Sequence, residues 1–288
     1  MFCEMGPNMK MRITKLYRLT LVLSLAVVPA LIRAQTTREQ SADPNRVVVR
    51  LSHPSQPARI RLQMLAGSIH VQGYNGNEVI IEGAGERIAE GDVPSEARGM
   101  RRLSQPGDVS VDEDNNVVTI HPGFKPTNID VRVPASSMVS LKTLAGNIRV
   151  QGVVGELDLE STNGRIILDQ VGGSLVAHAL NGTITANVVR LDPDKPSSFS
   201  TLNGRIEVTL SSGIHANLNM RSDQGDIYLD QGFDFKPLVN SSGSASKSEP
   251  DGMVKLKMDK TIHGTINGGG VEINFRSFNG SILVHKGK

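Results

Sequence analysis

The chain has 288 residues and is 38% hydrophobic, enough to bury a core and to exclude disorder throughout. Its 31 basic and 29 acidic residues nearly balance, and a single cysteine, Cys3, excludes a disulfide framework, thiolate catalysis in the body of the chain and a zinc–cysteine centre. Five of the basic residues (Lys10, Arg12, Lys15, Arg18, Arg33) but one acidic residue (Glu4) fall within 1–34, so the remainder is slightly acidic and lacks the signature of nucleic-acid binding.

From the N-terminus, the basic stretch precedes an apolar run from Leu19 to Ile32, with small residues Ala30 and Ala34 near its end. This is the pattern of a secretory signal peptide over 1–34, which predicts export to the periplasm, cell surface or medium. The run is shorter than the roughly 20 apolar residues that cross a bilayer, so no transmembrane span is expected once the leader is cleaved; retention as an anchor is the alternative. Residues 35–45 are polar and read as a tether, and 46–288 as one β domain.

The first strand is expected at Val47-Val48-Val49, and alternation in Ile69-His70-Val71-Gln72 marks further strands up to about Gly83. Residues 94–103 have helical composition with Pro94 at a tolerated first-turn position, which predicts one short helix. Val109-Ser110-Val111 and Val117-Val118-Thr119-Ile120, joined by a polar turn, predict a hairpin. Residues 46–130 form an irregular first part and 131–288 a repeat array, interrupted by a Ser/Gly/Lys-rich insertion at 240–252.

In that array glycine returns at Gly146, Gly155, Gly164, Gly173 and Gly182, nine residues apart. The unit reads Leu144-Ala145-Gly146-Asn147-Ile148-Arg149-Val150, then recurs around Asn163-Gly164, Asn181-Gly182 and Asn203-Gly204. Looser copies centre on Gly67, Gly225 and Asn279-Gly280. A unit this short buries its apolar face only by stacking on neighbours, which predicts an all-β solenoid, a β-helix-like stack of 18–22-residue coils. Asn-Gly is also a hairpin signal, so an antiparallel meander or β-sandwich is the alternative. The glycines and asparagines are expected at turns, entering positive φ at low cost. Alternation then points Ile148, Val150, Leu157, Leu159, Ile166, Leu168, Ile184, Ile206 and Val208 into the core. Phe233, Phe235, Phe275 and Phe278 are expected to plug the C-terminal end.

Catalytic signatures are weak. The acidic pairs Asp112/Asp114, Asp192/Asp194 and Asp223/Asp226 all fall at turns, where solvation accounts for them. The seven histidines have no metal-ligand spacing, and no Gly-x-Ser-x-Gly elbow appears. No catalytic residue, cofactor or metal is assigned. A sugar-binding platform would use flat aromatic faces, yet the chain has no tryptophan.

The leader, the irregular first part, the run Ile129-Asp130-Val131-Arg132-Val133-Pro134 and the following Leu141-Lys142-Thr143-Leu144-Ala145-Gly146 together resemble the bacterial toastrack-type adhesins. The likeness covers roughly 46–288. It implies a β-helix-like fold and an envelope role, and brings no catalytic residues with it. The expectation is therefore a non-enzymatic secreted or envelope scaffold that contacts an unidentified envelope or surface partner, protein or polysaccharide. A carbohydrate-active β-helix enzyme using turn carboxylates is the alternative.

Overall fold

The computed structural model describes residues 46–84, 109–123, 127–238 and 261–288. The leader, the helix expected at 94–103 and the insertion at 240–252 lie outside them. By contacts the chain divides into units Met1–Ser41 and Ala42–Lys288, and every described residue belongs to the second.

The described residues form twenty strands and no helix. In chain order they are β1 (Arg46–Arg50), β2 (Arg59–Ala66), β3 (Ile69–Tyr74), β4 (Glu78–Ala84), β5 (Ser110–Asp114), β6 (Val117–His121), β7 (Asn128–Pro134), β8 (Met138–Ala145), β9 (Ile148–Gln151) and β10 (Val154–Asn163). There follow β11 (Ile166–Asn181), β12 (Ile184–Leu191), β13 (Ser197–Asn203), β14 (Ile206–Leu210), β15 (Ala216–Ser222), β16 (Ile227–Leu229), β17 (Phe235–Pro237), β18 (Thr261–Ile266), β19 (Val271–Asn279) and β20 (Ile282–Lys286).

Hydrogen bonding arranges these strands in two faces of a solenoid. One face runs β5–β6–β2–β8–β10–β11–β13–β19–β15–β18–β17. The other runs β1–β4–β7–β3–β9–β11–β12–β14–β20–β16. β11 serves both, because it bends through a corner near Val171, where the register shifts. Pairing is parallel through the middle, as stacked coils require, and antiparallel only near the ends, in β1–β4, β4–β7, β5–β6, β15–β18 and β17–β18. The meander and sandwich alternatives fail on that parallel register.

Register explains the sequence repeat. Ile148 sits beside Ile166, Ile166 beside Ile184 and Ile184 beside Ile206, an isoleucine column that continues to Ile69 at one end and to Ile282 and Ile227 at the other. Ile148, Val150, Leu157, Leu159, Ile166, Leu168, Ile184, Ile206 and Val208 are all buried. Each such side chain contributes roughly 1.5–3 kcal/mol on burial.

The coils do not stack in chain order. β2 and β3 lie between the β6/β7 coil and the β8/β9 coil, and β19 and β20 insert between β13/β14 and β15/β16. The final strands are therefore internal, which corrects the expected place of two phenylalanines. Phe275 is buried inside the stack with its ring 5.4 Å from that of Phe199, and Phe278 is exposed on a corner. Phe233 and Phe235 do sit near the C-terminal end, Phe233 beneath the Lys286 ammonium at 5.8 Å.

The reason for glycine also needs correction. Positive φ occurs at Gly67 (117°), Gly146 (152°), Gly173 (103°) and Gly280 (157°), but not at Gly155, Gly164, Gly182, Gly204 or Gly225, nor at Asn163, Asn181, Asn203 or Asn279. What these corners share is closeness. A Cβ on Gly146, Gly164, Gly182, Gly204, Gly280 or Gly225 would lie 1.8–2.1 Å from the carbonyl oxygen of the neighbouring coil's glycine. Only hydrogen fits there. Gly155 and Gly173 are not at this corner; they lie within β10 and β11, where Cβ atoms would meet Ser137 O at 2.2 Å and Gly155 O at 2.0 Å.

Candidate interaction surface

The glycine corner organises everything around it. Three positions before most of these glycines the side chain points inward and is small and polar, the exceptions being Met64 before Gly67 and Ala179 before Gly182. Ser161 Oγ donates to Gly146 O (3.2 Å), Thr201 Oγ1 to Gly182 O (3.1 Å), Ser277 Oγ to Gly204 O (3.2 Å) and Ser222 Oγ to Gly280 O (3.0 Å). These hydroxyls satisfy corner carbonyls that the strand ladder leaves over. Immediately before the glycine, Asn163, Asn181, Asn203 and Asn279 end their strands and form an amide ladder on the surface. Each Nδ2 of the last three donates to the Oδ1 of the preceding asparagine in the stack, at 2.9, 2.7 and 2.7 Å.

Between these two rows, two positions before the glycine, the side chain must point out. Strand register aligns Leu65, Leu144, Thr162, Leu180, Leu202 and Phe278 in one column, and Asp223 follows at the end. Leu65 is 65% exposed, Leu144 51%, Phe278 42% and Leu202 40%. Neighbouring coils are about 4.8 Å apart, so the column is a largely apolar ridge, interrupted by Thr162 and half-buried at Leu180, beside a polar amide rail. Sequence reasoning passed over it, although the signal was present as the leucine two residues ahead of four of the glycines. Exposed leucines scattered singly are ordinary, whereas a contiguous row marks a contact surface.

The acidic row on the outer face of β10 is already partnered. Glu156, Asp158 and Glu160 alternate outward along β10, a row the period-2 spacing displays and sequence reasoning also missed. Glu156 meets Lys195 Nζ at 2.9 Å, Asp158 accepts from Ser140 Oγ at 3.3 Å and Glu160 meets Lys142 Nζ at 2.9 Å. The hydrogen bond from Lys142 holds the Glu160 carboxyl below its usual range, and the reciprocal bonds raise Lys142 and Lys195. A hollow of about 450 Å³ at the opposite corner, bordered by Met138, Glu156, Arg190, Asp192 and Lys195, is crossed by the Lys195–Glu156 pair.

The turn carboxylates are dispersed. Asp112 lies 3.2 Å from His121 Nε2, and Asp114 accepts from Asn115 Nδ2. Asp192 accepts from the Asp194 amide, Asp223 pairs with Arg221 at 3.2 Å, and Asp226 accepts from the Tyr228 hydroxyl at 3.4 Å. Among the histidines, His70 pairs with Asp130, His178 with Ser200 and His263 with Asn219. Among the described residues no group of three or more His, Cys, Asp or Glu is placed to hold a metal ion, and no helix is long and apolar enough to cross a membrane.

The family comparison agrees with the fold: residues 58–267 match the family described as Toastrack DUF4097. No curated protein matches the chain. Among solved structures, a candidate cell adhesion protein from Clostridium sporogenes is similar over 84% of this chain and 99% of its own, at 8% identity and a TM-score of 0.40. A candidate adhesin from Bacteroides fragilis is similar over 84% of this chain and 95% of its own, at 10% identity and a TM-score of 0.26.

Proposed function

The chain belongs to the Toastrack family, and from that premise we propose that it is an exported, non-enzymatic β-solenoid scaffold whose corner ridge contacts a protein partner at the cell envelope. One observation carries the reading. The Leu65–Leu144–Thr162–Leu180–Leu202–Phe278 column is a largely apolar surface backed by a buried hydrogen-bonded corner, so its shape exists before any partner arrives and little entropy is lost in ordering it. An aliphatic ridge suits another protein's apolar groove better than a polysaccharide, whose recognition uses aromatic stacking. The basic and apolar residues of 1–34 supply the export signal.

The test uses the protein expressed from the full chain. Fractionation should recover it outside the cytoplasm. Partners captured by the wild type from envelope extracts should be lost with the double substitution Leu144→Lys/Leu202→Lys, whose far-UV spectrum and melting temperature should match wild type because both side chains already face solvent. An unchanged set of captured proteins would rule out the ridge. Release of reducing ends from any envelope polysaccharide would instead establish the enzymatic alternative.

A further inference from the structure

The coils in the middle of the stack are not all of one length. Asn163 to Asn181 is 18 residues but Asn181 to Asn203 is 22, so one coil carries four extra residues. They fall at the corner opposite the amide rail, between β12, which ends at Leu191, and β13, which starts at Ser197. The resulting loop, Asp192-Pro193-Asp194-Lys195-Pro196, overhangs the two coils before it, where Gly155 and Gly173 present only backbone. Between loop and coils lies the hollow of about 450 Å³, inside the roughly 300–1,000 Å³ of small-ligand sites. We infer that this hollow binds the carboxylate end of a peptide whose last residue is small and apolar.

The wall of the hollow is held in place before any ligand arrives. The Asp192 amide donates to Gly173 O at 3.1 Å, the Asp194 amide to Asp192 Oδ1 at 3.0 Å and Ser174 Oγ to Pro196 O at 3.0 Å. Pro193 and Pro196 fix two further φ angles, so binding has little loop entropy to overcome. Lys195 Nζ then reaches back past β11 to Glu156 Oε2 at 2.9 Å, which ties the loop to a coil two layers away.

Charge and polarity select the ligand. Four ionised groups border the hollow, Glu156, Asp192, Arg190 and Lys195, and three of them are engaged: Glu156 and Lys195 with each other, Asp192 with the Asp194 amide. Arg190 is the exception. It is exposed, has no ion pair or hydrogen bond among the described residues, and its stem lies over the bare backbone of Gly172. Its planar fork matches a carboxylate with two parallel hydrogen bonds. A single carboxylate neutralises Arg190, whereas a doubly charged phosphate would set an unbalanced charge beside Glu156 and Asp192. Val154, Leu191, Pro57 and Pro193 line the remainder with apolar surface, which suits an aliphatic side chain and would leave the hydroxyls of a sugar acid without partners.

Chemical-shift titration of the isotope-labelled protein expressed from the full chain tests the site, with N-acetylalanine standing for the peptide end. The Gly155, Gly173 and Arg190 amides should shift saturably, with a Kd of about 1 mM. N-acetylalaninamide, which keeps the methyl group and loses the charge, should bind about tenfold or more weakly, and so should glucuronate, which keeps the charge and loses the apolar side. Arg190→Gln should weaken N-acetylalanine binding about tenfold or more at an unchanged melting temperature, because the side chain it replaces is exposed. Leu144→Lys/Leu202→Lys should bind N-acetylalanine as wild type does, which keeps this result apart from that of the ridge. An amide or a glucuronate that binds as well as N-acetylalanine, an Arg190→Gln variant with wild-type affinity, or no saturable shift at Gly155 and Gly173 by about 20 mM would each overturn the inference.

Discussion

Substituting Gly182 with alanine separates two explanations of the corner, because they predict opposite signs. Gly182 has no positive φ, so if glycine served only backbone freedom, alanine would restrict the unfolded chain and stabilise the protein by about 0.4–1 kcal/mol. The structure instead places the new Cβ 1.9 Å from Gly164 O, about 1.5 Å short of ordinary contact at 3.4 Å. The obstacle is backbone, so no rotamer change relieves it and the two coils must separate locally. That movement stretches the Gly164 N–H bond to Asn181 O, already 3.3 Å, and the Ile166 N–H bond to Thr183 O at 3.1 Å, past useful length. Two hydrogen bonds at about 1 kcal/mol each, plus lost packing of the adjoining isoleucines, give a net destabilisation of about 2–3 kcal/mol after the entropic gain is deducted. Gly213 is the control, since nothing lies within 4 Å of its Cβ position and its φ is not positive; Gly213→Ala should be neutral or slightly stabilising. Urea unfolding followed by far-UV circular dichroism reads both. A Gly182→Ala midpoint at or above wild type would refute the close-packing account.

The same corner predicts a gain: Ala179 occupies the column of Ser161 and Thr201 without a hydroxyl, so Ala179→Ser should offer Gly164 O the bond its neighbours make and raise stability by about 0.5–1.5 kcal/mol in the same assay. Phe199→Ala removes a buried ring stacked on Phe275 and should cost about 3–5 kcal/mol, with amide exchange rising first in β19, which reaches its place through that contact. Stability should fall on the acid side of 4.5, the usual carboxyl value of Glu113 and Glu160. Both are depressed in the fold, Glu113 by the amides of Ser52 and Asn116 and Glu160 by Lys142, so their contribution is present above the unfolded value and is lost as pH drops through the folded one. Glu113→Gln should flatten that acid slope in pH-dependent melting curves; an unchanged slope would mean the Ser52–Asn116 contact contributes nothing to it.

Strand content, the inward isoleucine series and the parallel stacking of Ile148, Ile166 and Ile184 were legible in the amino-acid order, because side-chain alternation and a fixed glycine spacing are local properties of the chain. The exposed leucine column could have been read there too, since a residue two positions before an outward-turning glycine faces solvent by alternation alone. Two things were decided only in three dimensions. The order of coils could not be read, because most coils present the same isoleucine and the same glycine corner and so fit beside one another equally well. Neighbour choice falls to features that differ, such as Phe199, which has Ala177 on one side and Phe275 on the other. The purpose of the glycines was hidden because a missing Cβ serves backbone freedom and close approach equally well, and only the 1.8–2.1 Å gaps between coils separate the two.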